Sequence, residues 1–372
     1  MKNHKKKINV AHFITSLEAG GAEKMLLKLL KERKLLGYLD IVIVLKGHGA
    51  IQKYFQNEGI IVYNLNVGIN FFFTFISIVK ILKKHNIDIL QSWLYHADLY
   101  VSILSIFVRK KIFWNVRCSL TSTKYSTKFI LFSLRYLSHI IPSKIIYASK
   151  SGMVSHESFG FAKNKGIVIP NGFEDIYNNL EEDFTKSNYN FEGKVVIGTI
   201  GRYHPDKDYN TLIKAAQKVL KNRSDVLFVL IGKGLEENNI ELVSILEENE
   251  VKENFHLFGY KNDIKKYYNI FDIFCLPSRS EGFPNVIGEA LLYKLPVVAT
   301  SAGDSELLVS NSGIIVPIED DNSLAKALIE LSNLSKNERL ELGENGRARI
   351  LTNYGISMIA KKYTLFYDQF NN

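Results

Sequence analysis

One pattern constrains this fold more than any other. Short apolar, β-branched runs alternate with helix-like segments, and the alternation runs through the chain twice. The first series predicts strands at residues 8–14, 40–45, 60–63, 88–91, 112–116 and 144–148. Between the first two strands, Met25, Leu26, Leu29 and Leu30 recur at helical spacing within residues 22–36. The second series predicts strands at 195–200, 226–231, 255–258, 272–276, 297–299 and 314–316. Strand–helix alternation builds right-handed βαβ units and parallel sheets, so two series predict two doubly wound, Rossmann-like α/β domains. A chain of 372 residues, 46% of them apolar, is long enough to give each its own core. The predicted boundaries are a first domain over 1–170, a polar, acidic linker over 171–193 and a second domain over 194–354. A last helix falls within 355–372, and its pattern alone does not say where it packs.

In open α/β sheets ligands sit outside the carboxyl ends of the strands. Two such domains face to face would leave a cleft, so the loop after each strand is the place to look. After the first strand comes TSLEAGGAE, with Gly20 and Gly21 just before a helix. Glycines there let backbone approach a phosphate at a helix N-terminus, although Gly-Gly in that place also serves as a plain turn. After the strand at 195–200 comes GRYHPDKDY. Its Arg202 and Lys207 pair a guanidinium fork with a mobile ammonium, a combination suited to a diphosphate. Gly232-Lys233-Gly234 lacks the third glycine and the acidic partner of a dinucleotide fingerprint, as does Gly47-His48-Gly49.

The most informative stretch is SRSEGFPNVIGEALL, residues 278–292. It reads as a loop that passes through Pro284, at the first turn of an apolar helix, into residues 285–293. Glu281 is then a loop residue and Glu289 lies early in the helix. Two carboxylates within apolar sequence suit sugar hydroxyls. Backbone N–H groups over 282–285 suit a phosphate or a hexose oxygen.

Charge is divided unevenly. Residues 1–170 hold 25 Lys and Arg against 8 Asp and Glu, a surplus of 17 positive charges, whereas residues 171–372 hold 22 against 30. A basic half points to an anionic partner, nucleic acid or a phospholipid surface. The aromatics favour the surface: Phe71, Phe72, Phe73 and Phe75 precede Lys80, Lys83 and Lys84, and KYSTKFILFSLRYLSH, residues 124–139, is basic and amphipathic. No run reaches the roughly 20 apolar residues of a membrane span. The basic N-terminus leads into a strand pattern with no apolar signal core, so a cytoplasmic chain is expected. Cys118 and Cys275 lie far apart and are expected as reduced, buried thiols.

Taken together, Glu281-x7-Glu289 in EGFPNVIGEA resembles the E-x7-E motif of the retaining glycosyltransferases of family 4, which have the GT-B fold. Gly20-Gly21, Pro170-Asn171-Gly172, Arg202 with Lys207, and LPVVAT at 295–300 fall in the family's order, so the resemblance covers nearly the whole chain. It implies sugar transfer from a nucleotide-diphosphate donor with retained anomeric configuration, by attack on the face of the departing group. It implies that Glu281 meets donor hydroxyls and Glu289 the ribose. Arg202 and Lys207 would hold the diphosphate, with Gly20, Gly21, Gly282, Phe283, Pro284, Asn285 and Val286 at the donor. QSWLYHADLY and NVRCS resemble the subgroup that builds bacterial surface polysaccharides, which implies that His96 faces the transferred hexose and Arg117 the donor. It further implies a UDP-sugar donor, no metal or other cofactor, a polyprenyl-diphosphate or lipid-glycan acceptor at the inner membrane face, and a last helix that crosses back to the first domain. Two rivals stay open at this point. One is a GT-B-like nucleotide-sugar epimerase or hydrolase, which would need no basic acceptor-side surface. The other is a nucleic-acid-binding protein, for which no recognition motif is present.

Overall fold

The computed structural model describes residues 7–65, 71–118, 120, 125–175 and 184–370. Lys124 and the side chains of Phe71, Phe72 and Phe73, part of the basic aromatic segments, lie outside the described residues. The chain divides into two compact units. Unit 1 comprises Met1–Gly172 and Tyr354–Asn372, and unit 2 comprises Phe173–Asn353.

Unit 1 is built on seven parallel strands: β1 Val10–Ile14, β2 Ile41–Val44, β3 Ile61–Asn64, β4 Ile89–Trp93, β5 Lys111–Val116, β6 Lys144–Tyr147 and β7 Gly166–Val168. Their order is β3-β2-β1-β4-β5-β6-β7. The helices are α1 Gly21–Leu35, α2 Gln52–Asn57, α3 Phe71–Lys84, α4 Tyr95–Leu104, α5 Tyr125–Ile140 and α6 Lys150–Phe159. Strands β1, β2 and β4 are buried along their whole length, as expected of parallel strands covered by helices on both faces. Strand β7 was not expected from the sequence; it has three residues and no buried position.

Unit 2 carries six parallel strands: β8 Val195–Ile200, β9 Val226–Ile231, β10 Phe255–Gly259, β11 Ile273–Leu276, β12 Val297–Thr300 and β13 Gly313–Val316, in the order β10-β9-β8-β11-β12-β13. Its helices are α7 Tyr209–Asn222, α8 Ile240–Glu248, α9 Asn285–Leu292, α10 Ser305–Val309, α11 Asp321–Asn333 and α12 Lys336–Tyr354. Of the stretch expected as a linker, the described residues 173–175 and 184–193 belong to this unit, and 176–183 lie outside the described residues. Phe173 is buried in the space left by Gly288, where a Cβ would come 2.1 Å from its Cζ. Tyr189 lies 4.8 Å from Phe258, and Phe191 lies 4.6 Å from His256, ring to ring, on the edge strand β10. Aromatic contacts hold residues 189–191 on the edge strand, where an uncovered edge would be a pairing hazard.

The last helix, α13 Ile356–Asp368, is part of unit 1 and completes its core with Ile359, Tyr363 and Tyr367. A buried polar set anchors it. Arg33 donates to Thr364 Oγ1 at 2.8 Å and pairs with Asp40, and its guanidinium lies over the rings of Tyr38 and Tyr367. Burial alone would raise the Asp40 carboxyl, but the Arg33 charge and hydrogen bonds, with His12 3.8 Å away, bring it down to about 2.

Candidate active site

In a doubly wound sheet the ligand crevice lies where the strand order reverses. That place is between β1 and β4 in unit 1 and between β8 and β11 in unit 2. Most expected residues sort onto these two points. Gly20 and Gly21 follow β1, His96 follows β4, Arg202 and Lys207 follow β8, and Glu281 to Glu289 follow β11.

In unit 2 the two loops are tied together. After β8 the chain passes Gly201, close against the β9 loop. A Cβ on Gly232 would lie 1.8 Å from the Gly201 carbonyl, and Gly232 itself has φ +149°. The glycines of GKG thus serve close backbone approach. One 3-10 turn, Pro205–Lys207, leads to Asp208, which caps α7 by accepting from the Thr211 N–H at 3.4 Å and also accepts from the Thr211 hydroxyl at 2.7 Å. The turn brings Lys207 Nζ to 2.5 Å from Glu281 Oε1. Arg279 N–H donates to the Asp206 carbonyl at 2.8 Å, and Arg279 Nη2 pairs with the buried Asp208 at 3.0 Å. Arg202 is exposed, and its guanidinium has no intramolecular partner among the described residues. A cavity of about 360 Å³ opens beside these loops, with Tyr203, His204, Glu241 and Arg279 in its wall.

Three supports of this site were not found in the sequence. Ser278, fully buried, donates to Glu281 Oε1 at 2.7 Å. Tyr268 donates to Glu289 Oε2 at 3.0 Å and stacks on Tyr293 at 4.9 Å; burial first, then the Glu289 charge, holds its hydroxyl far above the usual range. Gly303 at φ +60° presses on the Glu281–Gly282 turn, and Asp304 N–H donates to the Gly282 carbonyl at 3.0 Å. Pro284 is the extended N-cap of α9, one position earlier than expected, and Asn285 and Val286 open the helix. The Phe283 ring lies 6.1 Å from that of Phe173.

In unit 1 the β4–α4 turn is strained. Leu94 adopts φ 69°, ψ 161°, a region that is otherwise almost confined to glycine and is tolerated chiefly where function holds it. The next turn presents His96, exposed, at the start of α4. Gly20 caps α1, and a Cβ there would meet Glu23 Oε2 at 2.4 Å, so the absence of a side chain serves first to seat Glu23. Burial, and less so Glu18, holds the Glu23 carboxyl above the usual range. Arg117 is drawn inward: it donates to Asn115 at 2.9 Å, to Asn171 at 2.6 Å and to the Tyr363 hydroxyl, and lies 5.2 Å from the Trp93 ring. Its guanidinium joins β5 and Asn171 to α13, which the sequence offered no means to see. Cys118 and Cys275 are both free thiols; Cys275 is buried as expected, whereas Cys118 is only partly buried.

A lysine beside a carboxylate, with an exposed arginine on the same loop at the reversal point of a doubly wound sheet, suits a phosphorylated, hydroxylated ligand. The family described as glycosyl transferases group 1 matches residues 181–349, most of unit 2. The capsular polysaccharide biosynthesis glycosyltransferase CapM of Staphylococcus aureus is 26% identical over all of this chain and 98% of its own length. The N,N'-diacetylbacillosaminyl-diphospho-undecaprenol alpha-1,3-N-acetylgalactosaminyltransferase of Campylobacter jejuni is 23% identical over 81% of each chain. In fold, the chain matches Anabaena Alr3699/HepE in complex with UDP, with a TM-score of 0.82, 20% identity and coverage of 97% of this chain and 100% of that one. The chain has the GT-B fold, and its second unit matches the glycosyl transferases group 1 family. Over its whole length the chain is similar to an enzyme of capsular polysaccharide synthesis.

Proposed function

We propose that the chain moves a hexose or N-acetylhexosamine from a UDP-sugar to a lipid-linked glycan, with retained anomeric configuration. The observation that carries this reading is the Lys207–Glu281 pair at the β8/β11 reversal, with Arg202, unpartnered among the described residues, on the same loop as Lys207. Arg202 and Lys207 stabilise the charge growing on the departing diphosphate. Electrostatic stabilisation of this kind is usually the largest share of catalysis, and the two cations supply it without a metal ion. Glu281 orients the donor sugar, Glu289 holds the ribose, and His96 faces the transferred hexose. The UDP complex of the Anabaena protein supports the donor, and the Campylobacter relative supports a lipid-linked acceptor.

The acceptor brings the enzyme to the inner face of the cytoplasmic membrane through unit 1. This unit holds 27 Lys and Arg against 9 Asp and Glu. On α5, Phe129, Phe132, Tyr136 and Ile140 are 77%, 50%, 54% and 77% exposed. At roughly 100° per residue they share one stripe about 80° wide, with Lys128, Arg135 and His139 along one flank. No helix among the described residues is long and apolar enough to cross a membrane.

The test is transfer of radiolabel from UDP-, GDP- and ADP-sugars into the lipid fraction of bacterial membranes. Glu281→Ala and Arg202→Ala should each lower the rate by roughly a hundredfold, the cost of a lost transition-state contact of about 3 kcal/mol. Wild-type turnover in both variants would sink the site assignment. Release of free sugar or an epimer without lipid label would favour the hydrolase or epimerase reading.

A further inference from the structure

Glu281 faces a problem of its own. Its partner Lys207 is also the cation placed for the donor's diphosphate, and one ammonium is shared between two anions. When the donor binds, its phosphates compete for Lys207, and Glu281 then needs another partner to stay in place. The structure supplies one. The Ser278 hydroxyl, with no exposure to solvent, donates to the same oxygen, Oε1, that Lys207 contacts, at 2.7 Å. Ser278 is itself fixed from behind, because the buried Thr300 hydroxyl at the end of β12 donates to the Ser278 carbonyl. The same β12 loop closes on the far side of the carboxylate. Gly303 leaves room for the Glu281 and Gly282 carbonyls, which a Cβ would meet at 2.5 and 2.6 Å, and Asp304 N–H donates to the Gly282 carbonyl. Glu281 thus sits in a cradle made by two strand ends, β11 and β12, whose contacts to its carboxylate and turn do not pass through Lys207.

We propose that Ser278 is a positioning residue that holds the Glu281 carboxylate toward the donor sugar once Lys207 is drawn to the diphosphate. Thr300 and Gly303 set the backbone that lets it do so. The inference rests on the assignment of Glu281 and Lys207 to the donor, and it separates their roles. Lys207 serves the diphosphate both in binding and in the transition state, whereas the β11–β12 cradle adds to the rate of transfer without adding to affinity for the nucleotide. A hydrogen bond to a charged group has the size to matter for rate.

The experiment uses the full chain with three variants, Ser278→Ala, Ser278→Thr and Thr300→Val. UDP affinity is measured by calorimetry and kcat by transfer of labelled sugar. The expected result for Ser278→Ala is a kcat lower by roughly tenfold to a hundredfold, with UDP affinity within about threefold of wild type. Ser278→Thr keeps the hydroxyl and should recover most of the rate. Thr300→Val should move kcat in the same direction as Ser278→Ala, again with UDP affinity kept. A purely structural role would instead lower UDP affinity and kcat together, and that result overturns the proposal. So does a wild-type kcat in both Ser278→Ala and Thr300→Val while Glu281→Ala is inactive. Full activity in Glu281→Ala would overturn the donor-site reading itself.

Discussion

Acidification from pH 7 to pH 5 should weaken unit 1 by about 2 kcal/mol through a single buried imidazole. His156 is fully buried on α6. Its Nδ1 lies 2.7 Å from the Gly152 carbonyl, so Nδ1 carries the proton, and its Nε2 lies 2.6 Å from the Tyr95 hydroxyl. Burial holds Tyr95 far above its ordinary range, so Tyr95 donates and Nε2 accepts. A second proton on Nε2 would meet that donor in a desolvated site. Burial accordingly lowers the His156 pKa from 6.5 to about 4, against a smaller opposing effect of the Gly152 carbonyl. The unfolded chain takes up a proton near 6.5 and the folded chain only near 4, so between those values unfolding binds a proton and acid favours it. At 1.36 kcal/mol per pH unit, the full interval is worth about 3 kcal/mol, and about 2 of these are lost by pH 5. His12, also lowered by burial, acts in the same direction. Both tryptophans of the chain, Trp93 and Trp114, are buried in unit 1, so their fluorescence reports that unit alone. Urea unfolding measured at pH 7, 6 and 5 should show the tryptophan midpoint falling, with most of the slope absent in His156→Gln. A midpoint that does not move with pH, or one that moves equally in the variant, would refute the reasoning.

Two further outcomes can be checked. Asp40→Asn removes one partner of the buried Arg33 pair and should destabilise unit 1 by roughly 3–5 kcal/mol in the same tryptophan-monitored unfolding. Phe129→Glu with Phe132→Glu should release the protein from vesicles containing anionic lipid while leaving UDP affinity unchanged in calorimetry; unchanged cosedimentation would remove α5 from the membrane surface.

The parts of the fold that the sequence announced share a physical cause. Strands β8 and β9 are legible to the residue because both faces are buried and every position is apolar or small. The positions of Arg202, Lys207 and Glu281 after β8 and β11 come from the same pattern. Their partners do not. Lys207 meets Glu281 across 74 residues and Tyr268 meets Glu289 across 21, and no local spacing encodes either contact. Arg117 shows the cost of reading position alone: it comes after a strand, yet its side chain bonds to Tyr363, 246 residues away. The α3 and α5 segments look alike in sequence, basic and apolar. In the structure Phe75 packs edge-on to Phe107 at 4.8 Å, while Phe129 and Ile140 face outward. Periodicity gives the width of an apolar stripe and leaves open what covers it.

The discontinuity of unit 1 has a consequence for synthesis. Arg33 and Thr364 are 331 residues apart, and the Gln91–Tyr367 bond spans 276. All of unit 2 lies between them in the chain. A ribosome that has made β1 to β7 must therefore translate the whole of Phe173–Asn353 before α13 reaches Arg33 and Gln91. Until then the nascent sheet carries a buried-type cation and an amide without their α13 partners, and the apolar groove of α1 stands open. Unit 2, continuous in the chain, is free to fold in that interval, so the order of completion in the cell is the reverse of the order of synthesis.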